Sequence, residues 1–359
     1  MTQGGTETPA KGGRDWGIDV ARGFAVLLMI QTHAYDAWVR VLDRGSWAYR
    51  ITRELGAIPA PIFVMLAGVG VALGEHAMRG KGALSEGVRR RFVKRGLEVL
   101  FYAYVVSAVY ALMDGAHGVA EFLRADILHA IALSIVVLSI AVVGRRRRNL
   151  LCAIAIVITI LASIALTRTV RSTATSAPVA AVAALFFDVP PYSRFPLFPT
   201  VAFAFLGYAV GAVLATHKLS ASRTAVIGAL AVVVAILANL ATKAWVDAVD
   251  DGPLSRMHPA LVANYIDGSA RAIAVIAIAM LVAARMPAAL RRACVRLGQG
   301  SLFAYAFHIP FCYGRVGRPL LHSMDMRIAT LAVPGLMLLT YLAVLLRDLV
   351  RERVVRSRA

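Results

Sequence analysis

Ten apolar stretches recur along the chain, at about residues 17–39, 56–75, 97–113, 127–143, 149–167, 197–216, 223–242, 269–286, 297–314 and 327–346, with ends placed to within ~2–4 residues. Each is long enough to cross a bilayer. In hydrocarbon no water is left to satisfy backbone N–H and C=O groups, so such runs must become helices. The pattern predicts an all-α, polytopic transmembrane helical bundle of about ten spans, with no separate soluble domain. Of 359 residues, 59% are hydrophobic and only 16% charged, which excludes the ordinary soluble classes. The bundle would fill residues 17–346, between a polar tail of residues 1–16 and a basic tail of residues 347–359.

The net charge of +19 raises the question of nucleic acid. Its distribution answers it. An even number of spans puts both ends of the chain on one side. The loops of that side hold 24 Lys and Arg, and those of the other side hold 13. Acids run the opposite way, with 6 and 12, so the two sides carry +18 and +1. This is the positive-inside asymmetry, and it predicts that both termini are cytoplasmic in a bacterial inner membrane. The runs Arg89-Arg90-Arg91 and Arg145 to Arg148 then face anionic lipid head groups, and no nucleic-acid partner is expected. The first apolar run contains Asp and Arg and is too long for a cleaved leader, so it reads as a signal anchor. The three cysteines, Cys152, Cys294 and Cys312, show neither disulfide nor metal spacing. Gly70 with Gly74, and Gly207 with Gly211, have the spacing of close helix packing. Such glycines serve contacts within and between chains alike, so oligomeric state is not readable. The segment Val189 to Pro199 is rich in Pro and aromatics and predicts a fixed irregular path over a cavity mouth.

Ionisable groups at membrane depth default to function. The first span carries Asp19, Arg22, Gln31 and His33, with Asp36 one turn beyond. Arg22 and His33 are eleven positions apart, about 16 Å along a helix, so a cation lies near one end and a candidate general base toward the other. Asp36 shares the face of His33 and can orient its ring. The plain alternative is an interfacial histidine beside a rim carboxylate. His308 lies about 16 Å above the start of the ninth span, level with His33, and Pro310 frees a backbone carbonyl nearby. The alternative there is a core histidine bonded to a carbonyl. Asp19 and Arg22 are spaced to pair, which serves either an ion pair or an anionic-ligand anchor. His129 with Asp126 at the mouth of the fourth span, and Asp247, Asp250, Asp251, His258 and Asp267 around the seventh-to-eighth loop, suit a polar acceptor or plain solvation. No compact metal-ligand spacing recurs, so no metal is expected. These groups leave three readings open: an enzyme, a transporter or flippase of a polar or lipid-linked substrate, and a b-type haem protein with His33 and His308 as axial ligands.

The stretch Ile18-Asp19-Val20-Ala21-Arg22-Gly23 with Met29 and His33 resembles the opening helix of the transmembrane acyltransferases. Arg22 and His33 match the acyltransferase-3 pattern of Arg, ten residues, His. Three further blocks resemble the heparan-α-glucosaminide N-acetyltransferase-like branch: Ala60 to Gly68, Phe195 to Pro199 running on to Gly207-Tyr208-Ala209-Val210-Gly211, and Ser301 to His308. In the animal lysosomal enzyme of that branch the active histidine lies farther downstream, after the first conserved helix. Residues 39–59 of this chain contain no histidine, so the role falls to His33.

The resemblance implies a membrane acyltransferase that takes a small acyl group, acetyl, from a cytoplasmic CoA thioester. The acceptor would be a hydroxyl or amine of an extracytoplasmic glycan. It implies His33 as general base, oriented by Asp36, with His308 and Tyr305 on the thioester carbonyl or the acceptor. Arg22 with Asp19, the loop Arg89 to Arg95, Gln31 and Ser301 would serve donor or substrate binding. A passage from His33 and His308 down to Arg22 is the arrangement this requires.

Overall fold

The computed structural model describes residues 16–114, 122–217, 219–248 and 259–356. Helix α1 (Trp16–Trp38) is followed by a short 3-10 turn (Val41–Gly45), α2 (Trp47–Gly56), α3 (Pro59–Arg79), α4 (Ser85–Asp114), α5 (Ile127–Ala141), α6 (Arg148–Thr173) and α7 (Ala177–Ala184). Then come α8 (Leu197–Thr216), α9 (Ala221–Ala248), α10 (Pro259–Ala283), α11 (Ala288–Gln299), α12 (Ser301–Cys312) and α13 (Met326–Arg356). Among the described residues, seven helical stretches are long and apolar enough to cross a membrane: α2 with α3, α4, α6, α8, α9, α10 and α13. The protein is an integral membrane protein of all-helical architecture. Residues 1–15 of the polar tail, and Asp250, Asp251 and His258 of the acidic loop, lie outside the described residues.

Each predicted apolar stretch is helical, but seven rather than ten meet the length and hydropathy of a span, α5 being only 15 residues long, and two more stretches differ in form. The stretch at 297–314 is broken at Gly300: its first three residues end a basic amphipathic helix, α11, and a 12-residue apolar helix, α12, follows. Twelve residues rise about 18 Å, well short of a hydrocarbon core of roughly 30 Å. Helix α13 continues past the predicted boundary at residue 346 to Arg356, so the basic tail begins as helix. At its start Asp325 lies outside the membrane segment and accepts a hydrogen bond from the Ile328 N–H at 2.8 Å, which holds its carboxyl below the usual range.

The outermost helices turn large apolar side chains outward, among them Leu161 on α6, Leu237 on α9 and Leu342 on α13. On a soluble protein such a surface would be an interaction patch; here it meets lipid. Helix α1 is central and packs on α2, α3, α10, α11, α12 and α13. Its residues enter two of the buried clusters. Ile30, Ala34 and Trp38 pack with α12 and α13, and Ile18, Ala21 and Ala25 pack with α3, α10 and α11.

Two seams bring backbones into contact. A Cβ on Gly68 would lie 2.0 Å from the Ala204 carbonyl oxygen, and one on Gly207 would lie 2.0 Å from that of Met65, so α3 and α8 interlock reciprocally. A Cβ on Gly23 would meet the Cys294 oxygen at 2.2 Å, and one on Gly298 the Asp19 oxygen at 2.3 Å, which makes the same seam between α1 and α11. Gly211 packs on Val69 and Gly74 on the Phe92 ring, whereas Gly70 faces open space. The glycine of α3 that meets the α8 backbone is Gly68, two positions before the Gly70 expected. Gly68→Ala and Gly207→Ala should each cost about 1–3 kcal/mol by overpacking, read as a lower melting temperature in detergent, while Gly70→Ala should leave it unchanged.

Candidate functional site

Met29, Thr32, His33 and Asp36 recur at helical spacing on one face of α1. The Thr32 hydroxyl turns back to donate to the Leu28 carbonyl at 2.6 Å, and Gly56 at the end of α2 closes over it. Beside them is a cavity of about 240 Å³. His33, Thr32 and Met29 line it from α1, Gly56, Pro59, Ala60 and Phe63 from α2 and α3, and Tyr305, Ile309 and Pro310 from α12. Arg124, Asp126, Tyr110, Arg194, Phe195 and Tyr313 also line it, with Ile127 and Gly314. Arg194 and Phe195 belong to the Pro-rich segment, which is pinned at Ala125: the Ala125 N–H donates to the Tyr192 carbonyl at 2.7 Å, and the Arg194 N–H to the Ala125 carbonyl at 3.0 Å.

His33 and His308 meet, with ring centroids 5.3 Å apart and planes tilted by 37°. The His33 Nδ1 lies 3.3 Å from the Tyr313 hydroxyl oxygen, and that hydroxyl donates to Asp36 Oδ2 at 2.7 Å. Asp36 therefore reaches His33 through Tyr313, which corrects the direct contact expected from their spacing. An i,i+3 pair shares a helix face, but the tyrosine arrives from the end of α12 and takes the place between them. His308 is fully buried, with Nδ1 2.7 Å from the Ala304 carbonyl one turn back and Nε2 buried without a partner. It stands behind His33 and is not on the cavity wall. The two rings touch, so no slot for a porphyrin lies between them, and the pair does not fit axial ligation of a haem.

A second acid–tyrosine pair faces the same cavity. The Tyr305 hydroxyl donates to Asp126 Oδ2. Asp126 also caps α5, accepting from the Ile127 N–H at 2.6 Å, and its own N–H meets His129 Nδ1 at 3.3 Å. Pro310 lacks an N–H and so leaves the Ala306 carbonyl without its helical partner. The Tyr110 hydroxyl supplies it at 3.2 Å. A shallower groove of about 590 Å³ lies against the cavity and shares Thr32, His33, Gly56, Arg194 and Tyr313 with it. Its further wall includes Asp36, Arg53 and Arg44, the last donating to the Asp36 carbonyl oxygen at 2.6 Å.

The remaining sequence candidates lie apart from the cavity. Asp19 and Arg22 face each other at 3.6 Å toward the far end of α1, where Gln299 Nε2 donates to Asp19 Oδ2 at 3.4 Å. Gln31 Nε2 donates to the Thr52 carbonyl at 3.3 Å and ties α1 to α2. Ser301 opens α12. The cavity does not extend to Arg22: Met29 is its lining residue nearest Arg22 on α1, with Phe63 of α3 also on the wall. A fully buried Glu75, which spacing did not single out, accepts from the Tyr208 hydroxyl and from the Gly144 N–H at 3.0 Å and holds the α5–α6 turn to the bundle. Basic residues Arg90, Arg91, Lys94 and Arg95 border a shallow basin on α4. Among the described residues, no three His, Cys, Asp or Glu side chains are placed to hold a metal ion.

Sequence reasoning passed over Tyr313, Tyr110, Arg124 and Arg194 as site residues. Tyr313 sits five residues after His308, and Arg194 lies inside the Pro-rich segment; both were within reach of a search for polar groups near the singled-out histidine and loop. Asp126→Ala should cost about 1 kcal/mol through the lost cap of α5, whereas Asp126→Asn should keep most of it; chemical unfolding in detergent distinguishes the two.

The family model described as "Heparan-alpha-glucosaminide N-acetyltransferase, catalytic" matches residues 14–243. That span holds α1 through α8 and most of α9, and with them His33, Asp36, Asp126 and Arg194. No curated protein matches the chain.

Proposed function

Because the chain belongs to the heparan-α-glucosaminide N-acetyltransferase catalytic family, which implies acyltransferase activity in general, we propose that it moves an acetyl group from acetyl-CoA to a hydroxyl or amine of an extracytoplasmic acceptor, a glycan. The observation that carries this reading is His33, backed by Tyr313 and Asp36, on the wall of a cavity that also holds the Tyr305-linked Asp126 carboxylate and two arginines. That is the minimum set for acyl transfer: a base, a group behind it, and cationic donors where negative charge develops.

In this scheme the acceptor enters at the His33 end. His33 takes the proton from the acceptor oxygen or nitrogen as that atom attacks the thioester carbonyl. Charge gathers on the carbonyl oxygen, toward Arg194 and Arg124. The tetrahedral adduct then collapses, the carbon–sulfur bond breaks, and the imidazolium returns the proton to the leaving thiolate. Tyr305, held by Asp126, borders the acceptor's part of the cavity. The donor comes from the Arg22 side, its phosphates on Arg22 and on the basic α4 segment, with Asp19 holding Arg22 and with Gln31 and Ser301 along the route. Met29 and Phe63 stand across that route and must move aside for the acetyl arm.

His33→Ala should reduce acyl transfer by about 10²–10⁴-fold without loss of expression or of a monodisperse detergent-solubilised protein. Thiol release from acetyl-CoA in the presence of amino-sugar and sugar acceptors measures it, and wild-type turnover in this variant would remove His33 from the chemistry. Arg22→Ala should raise the KM for acetyl-CoA more than it lowers kcat; unchanged donor saturation would return Arg22 to a structural role.

A further inference from the structure

We propose that Tyr313 is the positioning residue that fixes the tautomer of His33, and that it does so because Asp36 takes its only proton. A phenol has one hydrogen to give and a carboxylate has none. At 2.7 Å from Asp36 Oδ2, the Tyr313 hydroxyl gives its hydrogen to the carboxylate, the stronger acceptor. The oxygen then has only lone pairs left for His33. Nδ1 of His33, 3.3 Å away, can bond to it only as a donor. Nδ1 thus carries the proton and the lone pair is left on Nε2. The rings of His33 and Tyr313 stand edge to face at 5.7 Å, which holds the imidazole plane while the bond holds its proton.

The neighbouring imidazole provides a contrast. The His308 Nδ1 lies 2.7 Å from the Ala304 carbonyl, a pure acceptor, so His308 is fixed in the same tautomer by its own helix. His33 has no such carbonyl and relies on a hydroxyl, which can either give or accept. Asp36 removes that ambiguity. This assigns a task to a carboxylate that does not touch the base, and to a tyrosine 280 residues away in sequence from it. The lock rests on the reading of His33 as general base only for its consequence in turnover. The tautomer itself is observable with no substrate present.

The test is ¹⁵N NMR of histidine-labelled protein in lipid bilayers at alkaline pH, where both imidazoles are neutral, with the His33 signals identified by their loss in His33→Asn. Wild type should show a protonated Nδ1 on His33. Tyr313→Phe should give a mixture of tautomers at His33. Asp36→Ala should go further and reverse the assignment, because the freed tyrosine proton turns to Nδ1 and pushes the imidazole hydrogen to Nε2. His308 should keep its signal in both variants and so reports an intact fold. In turnover, each variant should lower kcat by about 10- to 100-fold at unchanged KM for both substrates, and the double variant should fall no further than the worse single one. An unprotonated Nδ1 in wild type, or a His33 spectrum unmoved by both variants, overturns the lock even where His33→Ala is inactive. An active His33→Ala with the predicted tautomer shifts would instead leave the lock standing and sink the base.

Discussion

Two places where helix backbones touch set the geometry of everything above them. At the seam of α3 and α8, Gly68 and Gly207 each admit the other helix's carbonyl to a distance that no side chain would tolerate. Helix α3 begins at Pro59 and contributes Ala60 and Phe63 to the cavity, while the segment leading into α8 contributes Arg194 and Phe195. Interlocking the two helices therefore fixes the arginine relative to the floor. At the seam of α1 and α11, Gly23 and Gly298 do the same. Helix α12 follows α11 after a single glycine, so the contact near one end of α1 determines where His308 stands relative to His33 near the other. Backbone contacts of this kind have no rotamers to relax, and close-packed interiors transmit such constraints over a helix length.

Above the seams, the polar groups solve a problem of partners. A buried donor or acceptor left alone costs about 1–3 kcal/mol, and hydrocarbon offers no water to share. The chain answers by borrowing across long sequence distances. Tyr110 on α4 completes the carbonyl that Pro310 leaves open on α12, and Tyr305 meets Asp126, both partly buried, while Tyr313 meets Asp36 at the exposed rim. The tyrosines thus partner polar atoms in and beside the cavity. Among the described residues a few buried atoms stay without such a partner, and one of them, His308 Nε2, lies beside the ring of His33.

How much of this was legible follows from the same physics. Helices were readable because hydrocarbon admits almost nothing else, and the shared level of His33 and His308 was readable because a helix rises by a constant step. The contact of the two rings is that step made visible. The tyrosine bridges were not readable. Each pairing depends on how α4, α12 and the loop before α5 are arranged around α1, and no period along the chain carries that arrangement. The division at Gly300 was hidden by continuous hydropathy from 297 to 314, since a residue without a side chain leaves the apolar average unchanged while allowing the helix to end. Gly70 was chosen over Gly68 for a similar reason: spacing identifies a glycine stripe, but only the facing helix decides which member is used.

The separation of Arg22 from the cavity bears on how the proposed reaction could proceed. Arg22 is seven positions, about 10 Å of helix, from Met29, the residue of α1 nearest it on the cavity wall. Met29 and Phe63 line the cavity toward that interval. Methionine has an unbranched, flexible stem and adapts its shape readily, and Phe63 is only partly buried where it packs beside the core. The glycine seams on either side are rigid, so a route for an acetyl arm would open by rotamer changes at Met29 and Phe63 without parting α1 from α11 or α3 from α8. A closed floor between substrates also has chemical value. In the proposed reaction it would keep water at the His33 end from a thioester until the acceptor had displaced it, and exclusion of water would strengthen the pull of Arg124 and Arg194 on a developing oxyanion.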